Sequence, residues 1–270
     1  MKKLFLILIF LLIHSSKSFC QVLPGTRQVA LSHSDLSLFE EPFSIFNNPS
    51  GLSNIKGRTI GLFYSPAPFG ESALSTGSGV YIEPTSFGSF SGGFLIYGFD
   101  LYKETKIALG FSRKIVDKFS LGITSIYQNI SIKNYGSSGF LIFNLGGIAD
   151  ITKSLKLGFT FENVTRTKVA GEDNSIPVVF SGGIGYKAIE ELGVFLSLRK
   201  ELNYNASLRL GAEYMLMKYM QLRIGASNEP NIFSGGLSIS YSIFQIEYSV
   251  SSHPDLQLSH QFGIVIQFSK

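Results

Sequence analysis

The sequence predicts an all-β protein, a transmembrane antiparallel up-and-down β-barrel of about 14 strands behind a short N-terminal segment. Three observations predict it. Mean hydropathy is +0.22 and only 16% of residues are charged, yet no apolar run after residue 20 is long enough for a spanning helix. From Arg58 onward hydrophobicity repeats every second residue, the period of a strand with two unlike faces. The connections between the repeating stretches alternate between long and tight, as in barrels with short turns at one rim and loops at the other.

Residues 1–20 read as a secretory signal peptide. Lys2 and Lys3 form a charged start, Leu4 to Ile13 an apolar run, and Ser15 to Cys20 a small polar end. Cleavage after Cys20 makes Gln21 the new N-terminus. The alternative, a lipoprotein acylated on Cys20, fits less well with bulky Phe19 and charged Lys17 beside it. Cleavage removes the only cysteine, and with it any disulfide or thiol chemistry. Lys2, Lys3 and Lys17 leave too, so 23 basic residues become 20 against 19 acidic ones. A charge this close to neutral gives no footprint for a nucleic-acid partner.

Residues 21–57 form a separate N-terminal segment, expected in the lumen or the periplasm. It closes on F-N-N-P-S-G-L-S, where Asn47, Asn48, Pro49, Ser50, Gly51 and Leu52 make a turn that neither helix nor strand interior would tolerate. The barrel itself is expected over 58–270, with strands near 58–65, 72–82, 86–98, 105–115, 118–130, 139–150, 154–163, 176–187, 191–199, 204–215, 219–227, 231–241, 243–250 and 256–268. Most have the length a tilted strand needs to cross a bilayer, about 9–11 residues. The odd connections are long and rich in breakers (S-P-A-P-F-G-E, S-I-K-N-Y-G-S-S, S-S-H-P-D), and the even ones are tight (P-T-S, V-D-K, T-K-S). Aromatic residues near strand ends, including Phe63, Tyr64, Tyr81, Tyr97, Tyr102, Tyr127, Tyr186, Tyr214, Tyr241 and Tyr248, suit interfacial girdles.

If the apolar face meets lipid, the other face lines the lumen and collects charge. Arg199, Arg209, Glu213, Arg223 and Glu247 cluster on the ninth to thirteenth strands, with Lys156 and Glu162 on the seventh. Two readings stand: a salt-bridged filling, or a polar patch that contacts a ligand or the N-terminal segment. Catalysis is not expected, because neither G-x-S-x-G nor H-E-x-x-H occurs. No cofactor or metal is expected either; His253, Asp255 and His260 read as loop and strand residues. The pairs Gly92-Gly93, Gly146-Gly147, Gly182-Gly183 and Gly235-Gly236 lie inside strands and read as bends or small lumen residues.

The order Asn48-Pro49-Ser50-Gly51-Leu52 before the first strand resembles the N-P-A-G-L-like turn of barrels related to long-chain fatty-acid transporters (FadL-like), including the PorV/PorQ-type proteins of Bacteroidetes. The last hairpin, H-P-D-L-Q-L-S-H, resembles that group's closing hairpin, with Gln257 where a Gly is common. The resemblance implies fourteen strands, a lumen-directed plug and a place in the outer membrane of a Gram-negative bacterium. It implies passage of small hydrophobic molecules or an accessory role in protein secretion of the type IX kind. Partners would be outer-membrane lipid, with hydrophobic small molecules or secretion-system proteins as cargo or company. The alternatives are a structural barrel with a filled lumen and a secreted soluble β-protein.

Overall fold

A computed structural model describes residues 23–168, 176–202 and 204–268. The expected signal peptide and Cys20 lie outside the described residues. The described chain closes into a barrel of fourteen strands in sequence order, each antiparallel to its neighbours. They are β1 Thr59–Ser65, β2 Thr76–Pro84, β3 Ser89–Phe99, β4 Tyr102–Val116, β5 Phe119–Ile132, β6 Gly136–Asp150, β7 Leu155–Glu162, β8 Val179–Ile189, β9 Leu192–Glu201, β10 Ser207–Met217, β11 Met220–Ser227, β12 Ile232–Tyr241, β13 Phe244–Ser251 and β14 Ser259–Gln267. Closure comes from β1 against β14, with Thr59 opposite Gln267 and Tyr64 opposite Phe262. Each expected segment falls on one strand. The largest displacement is at β2, where 3-10 turns at Pro68–Gly70 and Ser72–Leu74 delay the strand to Thr76. Among the described residues no helix is long and apolar enough to cross a membrane.

Strand period becomes barrel geometry through burial. In β1, Thr59, Phe63 and Ser65 are buried on the inner face, while Leu62 and Tyr64 are exposed outside. The same alternation exposes Leu109, Ile123, Leu141, Phe180, Leu196, Leu210, Ile224, Ile246 and Ile264 around the outer wall. Tight turns at 117–118, 190–191, 218–219 and 242–243 sit at one rim. The connections 66–75 and 252–258 sit at the other, with 163–168 and 176–178, the described ends of the connection between β7 and β8. Tyr81, Tyr127, Tyr186, Tyr214 and Tyr241 are exposed on the outside, as a girdle requires. Phe63, Tyr97 and Tyr102 correct that expectation. Their position in the alternation turns them inward, where Phe63 meets Phe43 edge-on at 6.1 Å and Tyr97 meets Tyr102 at 6.4 Å.

The segment before β1 runs through the lumen. It opens with the short helix α1, Thr26–Ala30, and continues through 3-10 turns at Pro42–Phe46 and Pro49–Asn54. The two turns pack against β1 to β6 and α1 against β11 to β14. Fourteen strands enclose more space than wall side chains fill. Here that space is occupied by backbone and side chains of the same chain.

Candidate functional site: the barrel lumen

The lumen has two unlike halves. Phe63, Val80, Ile82, Leu95, Ala108, Ile126, Phe140 and Ile142, all from β1 to β6, form one apolar cluster with Phe43, Ile45, Phe46, Leu52 and Ile55 of the segment. Across from it, β7 to β13 present acids, arginines, serines and glutamines. The segment matches both sides: its 3-10 turns carry the apolar side chains and α1 with its flanks carries Arg27, Asp35 and Glu41. Each apolar side chain buried this way contributes about 1.5–3 kcal/mol to seating the segment.

The Asn-Pro turn locks the segment to the wall. Asn48 caps the 3-10 turn that begins at Pro49, its Oδ1 accepting from the Ser50 hydroxyl at 2.7 Å and the Ser50 amide at 3.3 Å. Its amide donates to the Leu36 carbonyl at 2.5 Å and to the wall carbonyl of Gly147 at 3.4 Å. Asn47 donates to Asp35 at 3.2 Å. Pro49 has no N–H to leave unsatisfied at this first position of the turn. Gly51 is chosen for space: a Cβ there would stand 2.7 Å from the Leu38 carbonyl oxygen and 2.8 Å from Ser44 Oγ.

The seven charges singled out by alternation all project inward, but in different states. Glu213 takes two bonds from Arg27 of the segment, at 2.7 and 2.9 Å, and one from Arg223 at 2.6 Å. Arg223 also donates to Glu247 at 3.0 Å and to Gln221 at 2.8 Å. Glu41 approaches Arg27 at 3.6 Å. Two guanidiniums and three carboxylates thus form a belt from the segment to β10, β11 and β13. Arg199 pairs with Glu162 through both guanidinium ends. Lys156 meets Asp150 at 3.7 Å and lies 4.4 Å from the centre of the Phe39 ring. Arg209 has no ion pair among the described residues.

Desolvation, first of all, pushes the buried Asp35 carboxyl up to about 6 and raises Glu41, whose neighbour Glu247 adds like charge. For an acid raised on folding, stability is fully present below its unfolded pKa, near 4, and is lost as pH climbs through the folded value. Asp35 therefore costs about 3 kcal/mol between roughly pH 4 and 7. Asp35→Asn is expected to match wild type near pH 4 and to exceed it above pH 6 in urea midpoint. A pH-independent difference between the two would remove this role.

Two cavities flank the segment. One of about 350 Å³ opens toward the long connections and is lined by His33, Phe63, Phe69, Arg199, Glu201 and Arg209 among others. The other, about 370 Å³, lies toward the tight turns, against Leu38, Lys156, Phe195, Glu213 and Gln221. Ser32 and His33 line the first, Ser37 and Leu38 the second. Ser34, Asp35 and Leu36, all buried, lie between them and line neither. The segment runs from one cavity to the other through this buried stretch.

Sequence reasoning did not single out Arg27, Asp35, Glu41 or Lys106. For Lys106 a signal was present, since it alternates with outward Ile107 and so must face inward, where it is buried. The belt partners of the segment carry no such signal, because Arg27 and Glu213 are 186 residues apart. His260 hydrogen-bonds Tyr248 at 2.7 Å on the outer face, while His253 packs on Phe69 at 5.1 Å. Among the described residues no three His, Cys, Asp or Glu side chains gather as a metal site.

No family model matches the sequence, and no curated protein matches it. Solved structures do resemble the barrel. The toluene transporter TbuX of Ralstonia pickettii superposes with TM-score 0.72 at 12% identity, covering 91% of this chain and 98% of that one. The monoaromatic hydrocarbon channel CymD gives 0.73 at 12% identity, covering 94% and 100%. A FadL homologue of Pseudomonas aeruginosa gives 0.65 at 13% identity, covering 92% and 99%. Over nine-tenths of its length, this chain has the fold of those hydrocarbon channels and of the FadL homologue.

Proposed function

We propose that the protein is an outer-membrane β-barrel of the FadL-like superfamily, exported by its leader in a Gram-negative bacterium, that passes small hydrophobic molecules passively and catalyses nothing. The observation that carries this reading is the division of the lumen: two cavities toward opposite rims, with the buried internal segment between them. An outer wall bearing exposed Leu, Ile, Phe or Tyr on every strand supports placement in lipid, since such a surface is costly in water. Solved channels of this fold include a toluene transporter and a monoaromatic hydrocarbon channel, which supports a hydrophobic cargo here.

The finer placement, in the PorV/PorQ-like group with an accessory role in protein secretion, rests on the N-P-S-G-L turn and the H-P-D-L-Q-L-S-H hairpin. Co-purification of secretion-system proteins with the full-length chain from its native membrane tests it.

Deletion of residues 27–53 tests the plug. Full-length protein in planar bilayers is expected to show little or no conductance and the deletion a stable open step, with heat-modifiable mobility retained by both. A deletion that keeps its mobility and opens no pore would leave a structural barrel with a filled lumen.

A further inference from the structure

We propose that the outward face of β4 to β6, where it rises above the apolar wall at the rim of long connections, docks a phosphate-bearing glycolipid of the outer leaflet. Lys103 and Lys133 are its phosphate contacts. These three strands have 15, 14 and 15 residues, whereas the other eleven have 7 to 11. A tilted strand crosses a bilayer in about 9–11 residues, so β4 to β6 carry about four more than the crossing needs, ~13 Å of strand. On one flank β7 ends at Glu162, one residue past its Phe161–Leu145 pair, and residues 136–143 of β6 stand beyond it.

The outward side chains change character along this extension. Ile107, Tyr127 and Leu141 stand side by side across the three strands and are exposed. The next outward row is Thr105, Asn129 and Gly139, and the row above it Lys103, Ser131 and Ser137. Lys133 continues β5, its amide donating to the Leu101 carbonyl at 3.0 Å. Lys103 and Lys133 are therefore diagonal neighbours on one face, about 7–8 Å apart at the backbone. Tyr127 marks the boundary. Its hydroxyl lies over Gly139, where a Cβ would stand 2.3 Å away, so the ring belongs to the apolar row and the hydroxyl to the polar one.

Charge is segregated around this rim. Lys103 and Lys133 are exposed, as are Arg166 and Lys168, which follow the edge of β6. There the Val164 amide donates to the Phe143 carbonyl at 2.9 Å and the Thr167 hydroxyl to the Leu141 carbonyl at 2.7 Å. None of the four cations has an ion pair among the described residues. Asp100 is the one exposed acid described in this sector, since Glu104 turns into the lumen and accepts from Gln128 at 3.1 Å. The rest of the rim is the reverse, with Glu71, Glu201, Glu229 and Asp255 against Lys200. An acidic peptide would use the cations but gain nothing from the wall below them. A lipid uses both: phosphates at the level of Lys103 and Lys133, and acyl chains running down past Tyr127 and Ile107.

This rests on the outer-membrane placement proposed above, with the long connections outward, but its test does not read passage. Detergent-purified full-length protein is titrated with bis-phosphorylated lipid A and with the same lipid stripped of both phosphates. The phosphorylated form is expected to bind at least ~10-fold more tightly. Lys103→Gln together with Lys133→Gln should weaken it roughly 10- to 30-fold and leave the stripped form unchanged. Lys200→Gln, on the same rim away from β4 to β6, should change neither. Equal binding of the two lipids, or a double variant with unchanged lipid A affinity, would overturn the site. So would displacement of lipid A by an equimolar amount of inorganic phosphate or of polyglutamate, which would make it a site for free anions or for an acidic protein. Heat-modifiable mobility checks that each variant is folded, and proteoliposome swelling reads passage separately. Swelling lost with lipid A binding intact would sink only the transport reading, and binding lost with swelling intact only this site.

Discussion

Arg223→Met is expected to lower the barrel's resistance to chemical unfolding by about 3–5 kcal/mol, the cost of breaking a buried ionic network from one side. Arg223 is 2% exposed and Glu247 equally so. The guanidinium bonds Glu213, Glu247 and Gln221 together. Methionine fills the volume but leaves Glu247 with only the Gln245 amide at 2.8 Å. Glu213 keeps Arg27, so the larger part of the loss should come from Glu247. A second change tests that assignment: Glu247→Gln on top of Arg223→Met removes the stranded charge and should recover about half of the loss. Urea titration of the protein in vesicles, read by heat-modifiable mobility, measures all three. A cost below about 1 kcal/mol for Arg223→Met would mean the belt is solvated and structurally idle.

The fold was legible because a barrel wall repeats one rule fourteen times. Leu192, Val194, Leu196 and Leu198 face out and Arg199, Ser197 and Phe195 face in, so face assignment needs only parity. Parity also placed the wall charges in the lumen. It could not say who pairs with whom, since ion pairs such as Arg27 with Glu213 depend on how the segment lies across the barrel. Parity does separate Phe63, which faces the segment, from Tyr64, which faces outward; nearness to a strand end, on which the girdle expectation rests, does not. Alternation is written in neighbouring residues, whereas the seating of the segment is written in contacts far apart in sequence.

The inward glycines record that seating most directly. A Cβ on Gly158 would stand 2.2 Å from the Leu36 carbonyl oxygen, and one on Gly122 would stand 2.4 Å from the carbonyl carbon of Pro49 and 2.5 Å from the Ser50 amide nitrogen. One on Gly146 would meet Asn48 Oδ1 at 2.0 Å. In the first two cases the obstacle is segment backbone, which cannot rotate away as a side chain can. The outward members of two Gly-Gly pairs differ: Gly92 and Gly182 would meet only a methyl and a ring carbon at 4.0 Å. Glycine on the inner face is therefore where the wall makes room for a second chain, a use of close backbone approach. Gly122→Ala and Gly158→Ala are each expected to cost about 1–3 kcal/mol by overpacking, and together to unseat residues 34–50. The double variant should then be cut by trypsin at Arg27 in intact vesicles and should conduct like the segment deletion. Gly92→Ala and Gly182→Ala, built on the same strand type one residue from an inward glycine, should resist trypsin as wild type does and shift stability by no more than about 1 kcal/mol. Inward and outward alanines of equal effect would show that these glycines shape the wall alone, and the fit between barrel and segment would have to come from the side-chain contacts by themselves.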